Sequence, residues 1–261
     1  MVEKFDVWMT PFTCERKVHV YLPENYYQSN ERYPVVYMYD GHNLFHDDDA
    51  TYGKSWGLET FMDHYDKKVI IVGIECNHTG NERLNEYCPY DVDWAFRGPI
   101  QGRGKLLMDW MVQEFKPMID SRYRTIPFRE CTAIGGSSMG GLMALYTVIA
   151  YNQYFSKAAC ISPANSICQK ELQEEFFKAS ISADTRVYFS FGTKEARNVS
   201  SRLQQLRWFE DAFSSKGGVC MINVVEGGEH NEASWEKENP IYFDFLWKNK
   251  NALRAFLMES R

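Results

Sequence analysis

The chain has 261 residues, 44% of them hydrophobic and 15% aromatic, with a net charge of −6 and a pI near 5.6. That length suits one large domain with a sizeable core, and an acidic balance with no basic stripe argues against nucleic-acid binding. Apolar runs such as VIIVGI and LMALYTVIA are far too short to cross a bilayer.

The opening stretch, MVEKFDVWMT, carries Glu3 and Asp6 and no apolar leader core, so no signal peptide is expected and the protein is read as cytoplasmic. Strand-like runs then follow at Val18–Leu22, Val35–Tyr39 and Val69–Ile74. The first two, KVHVYLP and PVVYMYD, are joined by a polar turn and suggest a hairpin or adjacent strands. Beyond them, helix-like runs at Gly104–Ile119, Met139–Tyr151, Gln169–Lys178, Ser200–Ser215 and Ala233–Lys248 alternate with strand-like runs. Those strands are Thr132–Gly136, Lys157–Ile161, Arg186–Phe191 and Val219–Val225. This alternation predicts an α/β fold: a mostly parallel central sheet flanked by helices on both faces, in one domain spanning 1–261. Active residues of such sheets sit in loops at the carboxyl ends of the strands. The seven cysteines are odd in number and form no CxxC pair, which favours a reducing compartment over a disulfide scaffold or a zinc ribbon.

Between a strand-like and a helix-like run lies AIGGSSMGGL, residues 133–142. G-x-S-x-G at such a junction is the pattern of a nucleophile elbow, a strained turn that exposes a serine oxygen. Centring the frame on Ser137 puts Met139 where a glycine is wanted; centring it on Ser138 puts Gly136 and Gly140 in place. Ser138 is therefore the candidate nucleophile. A serine hydroxyl needs a base, commonly His oriented by a carboxylate, in the chain order Ser, acid, His. Downstream of Ser138 the sequence holds one histidine, His230, in EGGEHNEASW. Glu195, in GTKE at the carboxyl end of the preceding strand, is the candidate acid; Asp184, Asp211 and Glu229 are more poorly placed. The backbone N–H of Met139 is one candidate oxyanion donor. The other is the N–H of His42, in the YDGHN loop where Gly41 would allow a sharp turn.

The blocks YPVVYMYDGHNLF, RLNEYCPY, FKPMIDSRYRT, AIGGSSMGGLMALY, ISPA, FGTKE and GGEHNEASW run in order from Tyr33 to Trp235. They resemble the Putative esterase family of the α/β-hydrolase superfamily, which includes enterochelin (siderophore), feruloyl and acetylxylan esterases. The resemblance implies ester or thioester hydrolysis with Ser138 as nucleophile, His230 as base, Glu195 as acid, and the N–H groups of His42 and Met139 as oxyanion donors. Glu departs from the commoner Asp at the acid position. The expected substrate is a small-molecule ester, whether siderophore, hydroxycinnamoyl or acetyl. No cofactor or metal is implied, and neither a nucleic acid nor a membrane is an expected partner. An acyltransferase on the same scaffold and a catalytically silent binding member are the rival readings.

Around this constellation, Arg83 and Glu86 occupy a loop on the expected active face, where Arg83 either holds a substrate carboxylate or pairs with Glu86 to brace the loop. Trp56, Trp94, Phe96 and Trp235 lie in loops and are candidates for stacking on substrate, or for surface packing. DWAFRGPIQGRG reads as a segment covering a pocket. The run His46-Asp47-Asp48-Asp49 is read as a solvated loop, not a metal site. FDFLWKNKNALRAFL reads as a helix on the sheet, with a homo-oligomer contact left open.

Overall fold

The computed structural model describes residues 1–95 and 97–247. Among the described residues ten strands are formed: β1 (Val2–Met9), β2 (Cys14–Tyr21), β3 (Val35–Tyr39), β4 (Ile70–Ile74), β5 (Val92–Trp94), β6 (Gly98–Ile100), β7 (Thr132–Ser137), β8 (Lys157–Ile161), β9 (Arg186–Gly192) and β10 (Val219–Val225). Eight of them make one sheet in the order β1-β2-β4-β3-β7-β8-β9-β10, and β5 and β6 form a separate hairpin. From β4 to β10 every neighbouring pair is parallel, while β1, β2 and β4 pair antiparallel at one edge.

The adjacency expected for the first and second strand-like runs is overturned. β4 lies between β2 and β3, antiparallel to the former and parallel to the latter. The reason lies in burial: β3 and β4 are apolar along their whole length and buried at every position, so each needs a strand on both sides and cover on both faces. β1 is an addition that the sequence reading missed. Its inward Phe5, Val7 and Met9 alternate with exposed Lys4, Asp6 and Trp8, the period-two pattern of an edge strand.

The helices are α1 (Leu58–His64), α2 (Glu82–Glu86), α3 (Gly104–Trp110), α4 (Lys116–Arg122), α5 (Met139–Ala150), α6 (Gln169–Lys178), α7 (Val199–Ser215), α8 (Glu232–Trp235) and α9 (Asn239–Trp247). A π-helical turn, Met111–Phe115, joins α3 to α4. Pro117 follows it; a proline has no N–H to donate back along the helix, which loosens the winding just before it.

The sheet separates two cores. Val35, Tyr37 and Tyr39 of β3 face α3, α5, α6 and α7, through Leu107, Leu142, Leu145, Phe176 and Phe209. Val36 and Met38 face the other way, onto Leu58 and Met62 of α1 and Tyr242, Phe243 and Leu246 of α9. Alternate residues of one strand thus serve opposite cores, and the parallel strands all point their carboxyl ends at one rim. The C-terminal helix expected over 243–257 is seen as far as Trp247; its remainder, and Lys248 of the last helix-like run, lie outside the described residues. No helix among the described residues is long and apolar enough to cross a membrane.

Candidate active site

β7 ends at Ser137 and α5 begins at Met139, leaving Ser138 alone to make the turn, with φ 57° and ψ −118°. This conformation is costly for any residue with a Cβ and persists only where the surroundings over-determine it. Here they do. The Ser138 N–H donates to Ile161 O (3.0 Å), and its carbonyl accepts from the N–H groups of Leu142 (3.0 Å) and Ala164 (2.9 Å). Gly136 is required by close approach: a Cβ on it would lie 2.8 Å from the Gly140 carbonyl carbon across the elbow. Met139, as the first residue of α5, has an N–H with no partner available inside the helix.

The loops after β9 and β10 are tied together by Thr193 N–H to Val225 O (3.0 Å) and Lys194 N–H to Gly228 O (3.1 Å). Across this junction Glu195 Oε2 meets His230 Nδ1 at 2.7 Å. Its other oxygen, Oε1, accepts from the Gly192 N–H and the Ser162 hydroxyl, each at 2.8 Å. Burial raises the Glu195 pKa, but the hydrogen bonds from His230, Gly192 and Ser162 together outweigh it and hold the carboxyl below its usual range. The ring of His230 stands edge-on to Trp235, with centroids 5.1 Å apart.

Ser138 and His230 line one cleft of about 500 Å³ with Asp40, His42, Asn43, Thr51, Tyr52, Cys76, Asn77, His78, Arg83, Glu232 and Trp235. His42 lies in a 3-10 turn, Gly41–Asn43, that follows β3. The first intraturn bond is Asn43 N–H to Asp40 O, so the His42 N–H has no partner within the turn. The turn is not made as expected. Its left-handed residue is Asp40 (φ 57°), whereas Gly41 is needed because a Cβ there would sit 2.6 Å from the Gly73 carbonyl carbon on β4. Burial lowers the pKa of His42, against the opposing pull of Asp40.

A family model described as Putative esterase matches residues 10–243. The chain belongs to this family. It is a carboxylic ester hydrolase with the α/β-hydrolase fold. The esterase is 24% identical over 252 residues to the uncharacterized protein YbbA of Bacillus subtilis (strain 168), covering 91% of this chain and 95% of the other. Among solved structures it resembles an IroE-like serine hydrolase from Shewanella oneidensis, with TM-score 0.72 and 23% identity over 94% of this chain and 80% of that one. It also resembles the enterobactin esterase of Shigella flexneri, with TM-score 0.69 and 15% identity, covering 95% of this chain and 59% of the other. At such identities the structural likeness speaks for the fold.

Several residues of the esterase sit otherwise than expected. Arg83 does not pair with Glu86: its guanidinium grips Asp40 in two bonds of 2.7 and 2.6 Å, although it reaches the cleft wall and its side chain is 29% exposed. Glu86 is held by Arg16 (2.6 Å) and by the Asn77 N–H (2.9 Å). Trp56 is a core residue, packed between Trp235 and Tyr242, and takes no part in lining the cleft. Trp94 belongs to the β5–β6 hairpin, which contributes nothing to the cleft among the described residues; Phe96 lies outside them. Trp235 does line the cleft, and its indole N–H donates to Ser162 Oγ at 3.1 Å. Of the acids after His46, Asp47 accepts from Ser55 and Asp49 from Lys4.

Ser162, just past β8 with φ 43°, is one residue that sequence reasoning missed. It relays Trp235 to Glu195, and its only signal was its place after a strand, in ISPA. Glu232 was missed too; burial, with Asp40 adding to it, raises the pKa of this cleft carboxyl.

Proposed function

We propose that the protein is a serine esterase working through an acyl-enzyme. His230 Nε2 takes the proton of Ser138 Oγ as that oxygen attacks the ester carbonyl, and the N–H groups of His42 and Met139 hold the oxyanion. His230 then gives its proton to the departing alkoxide. Water enters by the same route, loses a proton to His230 and releases the acid. Each oxyanion donor lowers the barrier by about 3–4 kcal/mol. Glu195 fixes the proton of His230 on Nδ1, leaving Nε2 free to accept.

The observation that carries this reading is the 2.7 Å contact between His230 Nδ1 and a Glu195 carboxylate whose other oxygen is already held twice. It occurs in the cleft that also exposes the strained Ser138. The polar lining (Asn43, Thr51, Tyr52, Asn77 and His78) favours a compact, oxygen-rich ester over a long acyl chain. Siderophore and hydroxycinnamoyl esters fit that description, and the enterobactin esterase among the structural relatives agrees with it. The seven free cysteines support a reducing, cytoplasmic setting. The test is a kcat/KM series over p-nitrophenyl esters of increasing chain length, run beside feruloyl sugars and siderophore esters. Efficiency should fall with chain length and rise on the oxygen-rich esters; a preference for long chains contradicts the substrate class.

A further inference from the structure

β3 and β4 are parallel neighbours in register, Tyr39 opposite Ile74, so the loops that leave them run side by side along the cleft. Three residues past β3 is His42; two and four past β4 are Cys76 and His78. One donor atom from each of the three lies within 4.8 Å of the others, with Cys76 Sγ 4.0 Å from His78 Nδ1 and the two imidazole centroids 4.6 Å apart. The outward nitrogen of each ring is already engaged: His42 Nε2 by Thr51 Oγ1 at 2.9 Å, His78 Nε2 by Glu75 Oε2 at 3.3 Å. His42 is only 6% exposed, and its Nδ1 is buried with no hydrogen-bond partner among the described residues. A buried ring nitrogen left unpaired is costly unless something occupies it.

We propose that His42, Cys76 and His78 bind a zinc-like divalent cation on the wall of the cleft, through the Nδ1 atoms of the two histidines and the sulfur of Cys76. Two imidazoles and a thiolate suit zinc and its neighbours and disfavour calcium and magnesium, which want oxygen. Zinc bonds of about 2.0–2.3 Å in a tetrahedron hold donor atoms about 3.4–3.6 Å apart. From a spread of at most 4.8 Å the cluster therefore needs to contract by up to about 1.4 Å, which the half-exposed His78 allows. Thr51 and Glu75 are the outer partners that orient ligating rings in metal sites. Arg83 nearby is no obstacle, since Asp40 neutralises it in a bidentate pair. On binding, the Cys76 thiol loses its proton to solvent as the sulfur–metal bond forms. Three protein ligands leave the fourth position open toward the cleft that Ser138 and His230 share.

A cation there locks His42, whose N–H is an oxyanion donor in the proposed mechanism, and crowds the cleft that Ser138 and His230 line. That inhibitory half rests on the esterase reading; the binding half does not. The experiment is a cobalt(II) titration of the full-length protein with zinc(II) competition, alongside ester turnover, each variant compared with its own metal-free rate. The wild type should take up one equivalent, with a sulfur-to-cobalt charge-transfer band that zinc abolishes. Cys76→Ser should lose the band, and His78→Ala, at an exposed ring, should weaken binding at least tenfold. Hydrolysis should fall in step with occupancy and return on chelation. No sulfur-to-cobalt band in the wild type, or a band that survives in Cys76→Ser, overturns the site. A band without inhibition overturns the inhibitory half alone. A band in a protein with no metal-free turnover leaves the site standing and sinks the esterase reading.

Discussion

Replacing Glu195 by Gln changes one atom of the carboxyl group and keeps its shape. Oε1 can still accept from Gly192 and Ser162, so the side chain should stay where its two 2.8 Å bonds hold it. The change falls on the 2.7 Å contact with His230 Nδ1. There an NH2 group now donates where a carboxylate accepted, and the imidazole must put its proton on Nε2, the nitrogen needed to receive the proton of Ser138. Where this tautomer error has been imposed on a Ser-His-Asp triad, turnover falls about 10⁴-fold. A loss of about 10³–10⁴ in kcat is therefore expected, or about 4–5 kcal/mol of barrier, with KM little changed. The assay is p-nitrophenyl acetate hydrolysis, with thermal unfolding as the check on folding. A folded Glu195→Gln enzyme retaining more than a tenth of wild-type kcat would refute the assignment of Glu195 as the acid.

The same substitution should alter the acid limb of stability. The folded Glu195 carboxyl titrates below its unfolded value of about 4.3, so its contribution is fully present above that pH and is lost as pH falls through the lower folded value. In Glu195→Gln, denaturant midpoints between about pH 5 and 3 should fall less steeply than in the wild type; equal slopes would mean the carboxylate is not held this way. Ser162→Ala removes one bond to Glu195 and orphans the buried Trp235 indole N–H. It should cost about 1–3 kcal/mol of stability and roughly tenfold in kcat, and wild-type kcat would exclude Ser162 from the network. Arg83→Met leaves Asp40 buried without its partner and should destabilise the fold by about 3 kcal/mol in a denaturant titration. A rise in KM at unchanged stability would instead make Arg83 a substrate anchor.

Most of the sheet could be read from local pattern. Mostly apolar runs bounded by turn residues gave β3, β4 and β7 to β10, and helix-like stretches gave α5, α6 and α7 to within a residue or so. What local pattern does not encode is which strand lies beside which. KVHVYLP and PVVYMYD look like a hairpin because nothing in either announces that residues 70–74 will slide between them. β1 escaped notice because Phe5, Val7 and Met9 make only a half-buried face, and its charges invited a question about leaders instead.

The site divides in the same way. Ser138, Glu195 and His230 could be named as candidates from the sequence because chemical type, chain order and position after a strand all agree. Ser162 stands 33 residues from the carboxylate it supports, and Asp40 stands 43 from Arg83. Such pairs exist only once parallel strands bring their carboxyl ends to one rim. Glu86 was the nearer acid for Arg83 in sequence, yet the fold turns it toward Arg16 on β2.

The central claim is that Ser138 is a nucleophile activated by His230. A fluorophosphonate probe followed by intact-mass and peptide analysis tests it most directly. The account predicts one adduct per chain, on Ser138, absent from Ser138→Ala and slowed at least a hundredfold in His230→Ala. An ester-hydrolysing protein that stays unlabelled, or that carries the adduct on another residue, would contradict it.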